Sequence, residues 1–124
     1  MKLLLDTHVA LWWHADDRRL RAPGRRAIAD AAEVWVSAAS AWEIAIKTAL
    51  GKVRPPGPFA EAVETSGFRP LPITFRHAAE AGTLPVHHRD PFDRMLVAQA
   101  RLEGLTLVTH DEVFDRYAIT VLRV

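Results

Sequence analysis

Acidic side chains recur in this sequence at places where buried strands and helices tolerate charge least. Asp6 follows three consecutive leucines in "KLLLD". Glu43 stands between Trp42 and Ile44, Asp93 shortly precedes the apolar run "MLVAQA", and Asp111 comes two residues after "LTLVT". Asp90 lies three residues before Asp93. Each acid has a plain structural role open to it. Asp6, Asp90, Asp93 and Asp111 can cap helices, and Glu43 can pair with Lys47 at i+4. Gathered in one cleft they would mean something else. Two carboxylates ~5 Å apart repel by about 3 kcal/mol at an effective dielectric near 20. Three or four together cost on the order of 10 kcal/mol, comparable to the stability of a whole domain. Such a cluster requires protons or a divalent cation. The chain has no cysteine, so the ligands are oxygens and the ion is hard, Mg²⁺ or Mn²⁺. His8, the pair His87–His88 and His110 lack the H-x-x-x-H spacing on one helix face that would favour zinc.

The elements that must position these acids alternate. Apolar stretches at 2–5, 33–37, 68–73, 105–109 and 118–124 read as strands. Helical patterns cover 7–14, 37–52, 58–67, 74–82 and 90–104. Strands alternating with helices predict an α/β fold around a mainly parallel sheet of four or five strands. Ligands bind such sheets beyond the carboxyl ends of the strands, where Asp6 and Asp111 fall. In 37–52 an apolar stripe runs through Trp42, Ile46 and Leu50. Gly51 and Gly104 stand where helices should stop, and "VRPPGP" (53–58) is a rigid turn. Trp12, Trp13, Trp35 and Trp42 lie inside apolar stripes and read as core or dimer-interface residues rather than stacking platforms.

The chain of 124 residues suits a single domain, 1–124. Net charge is +1, so the total does not mark a nucleic-acid binder. The stretch "RRLRAPGRR" (18–26) holds five arginines. It reads equally as a solvated helix-and-turn surface or as a phosphate grip. In "MKLLLD" an acid arrives too early for a signal peptide, and no apolar run approaches the ~20 residues of a membrane span. A cytoplasmic location is the expectation.

The chain has no glycine-rich phosphate loop, no Walker lysine and no G-x-G-x-x-G. A carboxylate-held divalent ion without a nucleotide cradle points to hydrolysis of a phosphodiester. Thr7, Ser37, Ser40 and Thr109 supply hydroxyls near the same sheet edge and read as orienters of the acids. The stretches "LLLDTHVALWW", "VSAASAWEIAIKTALGK", "LPVHHRDPFDRMLVAQA" and "LTLVTHDE" span residues 3–112. Together they resemble the PIN-domain ribonucleases, specifically the VapC-type toxins of toxin–antitoxin pairs. The resemblance implies a three-layer α/β/α fold and a Mg²⁺- or Mn²⁺-dependent endoribonuclease. It places the family's acidic quartet on Asp6, Glu43, Asp93 and Asp111, with Asp90 as an alternative ligand, cap or helper. It also implies a VapB-type antitoxin, RNA as substrate and a homodimer. One or two ions would be held, and Arg89 and Arg94, beside the acids, are candidates to steer the scissile phosphate. A DNA-directed or flap-type nuclease uses the same chemistry. A receiver-like Mg²⁺-binding module would want paired acids after the first strand and a late lysine, and an Asp-nucleophile phosphatase would want D-x-D; "LLLDTH" and "LVTHDE" offer neither.

Overall fold

In the computed structural model, which describes residues 1–87 and 89–124, five strands form one wholly parallel sheet. They are β1 (Lys2–Leu5), β2 (Glu33–Ser37), β3 (Arg69–Leu71), β4 (Thr106–Thr109) and β5 (Val121–Arg123). Their order is β3-β2-β1-β4-β5. The sheet therefore has five strands rather than four. β1 is central, with Leu4 opposite Trp35 on one side and Leu107 on the other. The run of leucines follows from that position, because a central parallel strand is buried on both faces. Leu3 and Leu5 point into a core with Val9, Leu20, Ile28, Phe59 and Val63. That core is covered by α1 (Thr7–Ala15), α2 (Ala22–Asp30) and α4 (Phe59–Thr65). Leu4 points the other way, onto Leu96, Val97, Leu107 and Phe114. There the cover is α5 (Phe75–Thr83), α6 (Pro91–Glu103) and the 3-10 turn Glu112–Arg116. The result is three layers, α/β/α.

Two strands are shorter than the sequence pattern suggests. The stretch 68–73 contributes only Arg69–Leu71. Pro70 and Pro72 lack ladder donors, and the strand survives because it is the sheet's edge. In 118–124 only Val121–Arg123 pairs, with β4.

The helix α3 (Ala38–Ala49) corrects a reading of its stripe. Trp42 and Leu50 are 63% and 64% exposed and Ile46 is 36% exposed. The helix buries Ala39, Ser40, Glu43 and Ile44 instead. Small residues let that face approach α1 and α6 closely; the large apolar side chains are left outside, with Trp42 edge-on to Phe92 at 5.3 Å. No helix of the described residues is long and apolar enough to cross a membrane.

The ends of α6 match its sequence signals. Asp90 caps it, Pro91 opens it, and Gly104 closes it with φ at +65°. A Cβ at Gly104 would meet nothing within 4 Å, so Gly104→Ala carries only the left-handed backbone penalty. Urea unfolding should show a loss of about 1 kcal/mol.

Candidate active site

Asp6 leaves the carboxyl end of β1 and caps α1. Its Oδ1 accepts from the Val9 N–H at 2.8 Å. Its Oδ2 accepts from the Thr109 hydroxyl at 2.5 Å, across 103 residues of sequence. The side chain is buried, and burial pushes its carboxyl above the usual aspartate range, against the opposing pull of those hydrogen bonds. Thr109, the last residue of β4, also accepts from the Asp111 N–H at 3.0 Å. One hydroxyl thus ties Asp6 to the chain at Asp111, and the negative charge of Asp111 bears on Asp6. Asp111 is exposed and also caps the 3-10 turn through Val113 N–H. For Asp6 and Asp111 the capping role and convergence at the sheet edge are therefore both present.

A second group of acids surrounds Lys47. Glu43 is 4% exposed. Its Oε2 accepts from Lys47 Nζ at 2.8 Å. Its Oε1 is buried with no hydrogen-bond partner. The expected i+4 pair is present, with Glu43 buried and Lys47 half-buried. The bond to Glu43 raises the Lys47 pKa, and the charges of Asp90 and Asp93 add to the effect. Asp90 Oδ1 accepts from the N–H groups of Phe92 and Asp93 at 2.8 and 3.1 Å, so Asp90 serves as the cap of α6. Asp93 is half-buried in the first turn. Thr7 links the two groups, since its hydroxyl donates to Ser40 Oγ at 2.9 Å, one turn before Glu43. Ser37 is spent on capping α3, accepting from Ala39 N–H.

Among the described residues no three carboxylates or imidazoles are gathered closely enough to grip an ion as they stand. The donor set nevertheless fits a hard divalent cation in chemistry. All its atoms are carboxylate oxygens, and Glu43 Oε1 is a buried acceptor left open. His88 lies outside the described residues.

Arg94 differs from the expectation for a phosphate contact. Its guanidinium donates to the carbonyls of Ala81, Leu84 and Pro85, at the end of α5. Terminal helix carbonyls attract a cation and hold it there. Arg89 is exposed. Sequence reasoning passed over the wall beside Asp6. A cleft of about 540 Å³ there is lined by Asp6, His8, Trp12, Arg19, His110, Asp111 and Glu112. The signal was visible: His8 and Trp12 stand one helical turn apart, immediately after the acid. A separate apolar hollow of about 460 Å³, lined by Val36, Phe59, Val63 and Phe68 among others, includes none of the candidate acids.

The sequence matches the PIN domain profile over residues 3–120. It is 38% identical over 117 residues to ribonuclease VapC22 of Mycobacterium tuberculosis, covering 88% of this chain and 86% of that one. Its fold is similar to a chain in the crystal structure of DNA-bound VapBC from Salmonella typhimurium, with a TM-score of 0.74 and 20% identity over 99% of this chain and 98% of that one. It is also similar to a chain of VapBC2 from Rickettsia felis bound to a promoter DNA fragment, with a TM-score of 0.71 and 15% identity over the same shares. A toxin–antitoxin complex from Klebsiella pneumoniae gives a TM-score of 0.70 at 17% identity, over 98% of this chain and 96% of that one. The chain belongs to the PIN domain family, and within it to the VapC type.

Proposed function

We propose that the chain is a Mg²⁺- or Mn²⁺-dependent endoribonuclease, the toxin of a toxin–antitoxin pair. The observation that carries this reading is the pair of buried acids at the carboxyl edge. Asp6 is held above its normal pKa by burial, and Glu43 has an oxygen without a partner. Lys47 supplies charge to one oxygen of Glu43 only, and buried carboxylates in that condition call for further positive charge. The name of the relative, a ribonuclease, supports RNA as the substrate.

In this reading Asp6, Glu43, Asp93 and Asp111 hold one or two divalent ions. A bound ion supplies positive charge for the phosphate oxygens and lowers the pKa of a coordinated water. The chain's own residues prepare the site. Thr109 fixes the rotamer of Asp6 and anchors the backbone of Asp111. Lys47 holds one oxygen of Glu43 and leaves the other turned away from it. Asp90 caps α6 and so sets the first turn that carries Asp93. Arg89 is exposed, whereas Arg94 is occupied by helix-end carbonyls, which supports Arg89 as the residue that steers phosphate. With water as nucleophile the products are a 5′-phosphate and a 3′-hydroxyl.

A VapB-type antitoxin is the proposed inhibitor, and the solved complexes of similar fold support that partner. A homodimer acting in the cytoplasm completes the proposal. The exposed ridge Trp42–Ile46–Leu50 supports coverage by some protein partner, since apolar patches on soluble chains are seldom left to water.

The test is cleavage of structured RNA with Mg²⁺ and with EDTA. Undiminished cleavage in EDTA rejects the metal-dependent mechanism. Running single-stranded and branched DNA in parallel distinguishes the DNA-directed alternative. Thr109→Val removes the hydroxyl that joins Asp6 to Asp111. It is expected to lower RNA cleavage by roughly 10- to 100-fold, the usual effect of losing an outer partner of a ligand; single-turnover rates check it.

A further inference from the structure

The cleft of about 540 Å³ beside Asp6 is lined by two unlike sets of side chains. One is acidic, with Asp6, Asp111 and Glu112. The other is aromatic and cationic, built around Trp12. His8 lies against Trp12 with ring centres 6.2 Å apart and planes 26° from parallel. His110 meets Trp12 edge-on at 5.8 Å. The guanidinium carbon of Arg19 lies 5.3 Å from the Trp12 ring centre. Two of these groups are held by hydrogen bonds to neighbouring residues. His110 Nδ1 donates to a backbone oxygen of Val124 at 2.8 Å, which sets the ring's orientation. Arg19 is held by Asp17 through Nε at 3.1 Å and Nη2 at 2.7 Å. Trp12 itself is half-buried, so its edge and part of its surface reach the cleft.

We infer that this cleft takes an unpaired nucleobase of the RNA, next to the bond that is cut, against the Trp12–His8–His110 wall, with the adjoining phosphate at Arg19. The position of the cut bond rests on the nuclease reading above; the base site itself rests on the cleft. A nucleotide is the ligand whose parts match these walls. Its flat, uncharged base suits aromatic rings, and base–aromatic stacking is sequence-tolerant because every base has a π-face. Its phosphate suits a guanidinium. The volume lies within the ~300–1,000 Å³ typical of small-molecule sites, ample for a base with its sugar. Arg18 and Arg21, exposed on the same segment as Arg19, offer further positive charge to the RNA backbone. A paired base is excluded by this account, because its faces are already stacked and its ring cannot enter the cleft. The arginine-rich stretch 18–26 thereby divides. Arg25 donates to the carbonyls of Asp17 and Leu20 and braces the turn, while its exposed neighbours face the RNA.

The experiment is fluorescence anisotropy of a labelled, unpaired RNA oligonucleotide with the full chain in EDTA, where no cleavage interferes. Trp12→Leu is expected to weaken binding by roughly 5- to 100-fold, the range that stacking of one base covers. Trp12→Phe retains most of the affinity. An abasic residue walked along the oligonucleotide should weaken wild-type binding at one position and have no effect there on Trp12→Leu. The abasic walk on wild type needs no variant, so a Trp12→Leu protein that does not fold leaves a decisive readout. Equal affinity of folded Trp12→Leu and wild type, or no abasic position that matters to wild type, overturns the inference. Cleavage in Mg²⁺ is scored separately on the same proteins. RNA cut by a wild type that shows no abasic effect sinks the base site alone. Absence of any cutting, with the abasic effect present, sinks the nuclease reading alone.

Discussion

Replacing Asp6 with Asn is expected to lower RNA cleavage by more than about a hundredfold while raising the melting temperature of the metal-free protein. The first effect follows from position. Outer partners of metal ligands are worth about 10- to 100-fold, and Asp6 is proposed as a ligand itself. The second follows from burial. The folded-state pKa of Asp6 lies above its ordinary value of 3.8, mainly through desolvation. Its protonated form is therefore favoured by folding, and that contribution is fully present only below the unfolded value. It is lost as pH rises through the folded-state pKa. Asn has nothing to ionise and keeps an acceptor for Val9 N–H, which Asp6 now serves at 2.8 Å. The gain in melting temperature should thus be small at pH 3.5 and grow towards neutrality. Mn²⁺ closes the argument. Ligand binding to the native state alone stabilises by about 2.7 kcal/mol at a hundred times Kd, so the ion should raise the melting point of wild type and much less that of Asp6→Asn. A variant that is less stable than wild type without metal, or equally active, contradicts this account of Asp6.

Phe114→Ala is expected to destabilise the protein by about 3–5 kcal/mol, the usual range for a buried aromatic. Phe114 is 1% exposed and is the largest fully buried side chain of the described residues. It packs with Leu4, Leu96 and Leu107 from three different elements. It also sits in the 3-10 turn that Asp111 caps. The loss is a large part of the ~5–15 kcal/mol of a typical domain. Phe114→Leu refills most of the space and should cost much less. Chemical denaturation of both variants measures the difference; near-equal losses would mean that backbone change, not cavity formation, sets the cost.

Much of the fold was legible because its signals are local. "EVWVS" and "LTLVT" are short, β-branched apolar runs of the kind a sheet covered on both faces requires, and Gly104 and Asp90 mark the ends of α6 at the residues observed. The helix α3 was legible as a helix but not in its facing. Periodicity reveals a stripe, and two stripes compete there. The one that turns inward carries Ser40 and Glu43, because close approach to α1 and α6 favours small residues over Trp42. The acids could be named from the chain, and so could hydroxyls near them and the i+4 partner Lys47 of Glu43, yet the partners from distant segments could not. That Thr109 reaches Asp6, and that Arg94 is absorbed by the end of α5, are matters of through-space geometry between residues far apart in sequence. Trp12 read as a core or dimer-interface residue because it lies in an apolar stripe, and it does pack against the core; that part of its ring stays exposed beside Arg19 appears only once the loop after α1 is folded back.

The clasp between residues 6 and 109 also bears on synthesis. A ribosome makes β1 first, yet one flank of that strand and one oxygen of Asp6 wait for β4, which emerges some hundred residues later. Pairings of such long range form late and slowly. A nascent chain, or one cut short before Thr109, therefore carries Asp6 with no counterpart to set it. A chain that ends before Thr109 is expected to lack a fixed Asp6 and, on the nuclease reading proposed above, to cut no RNA.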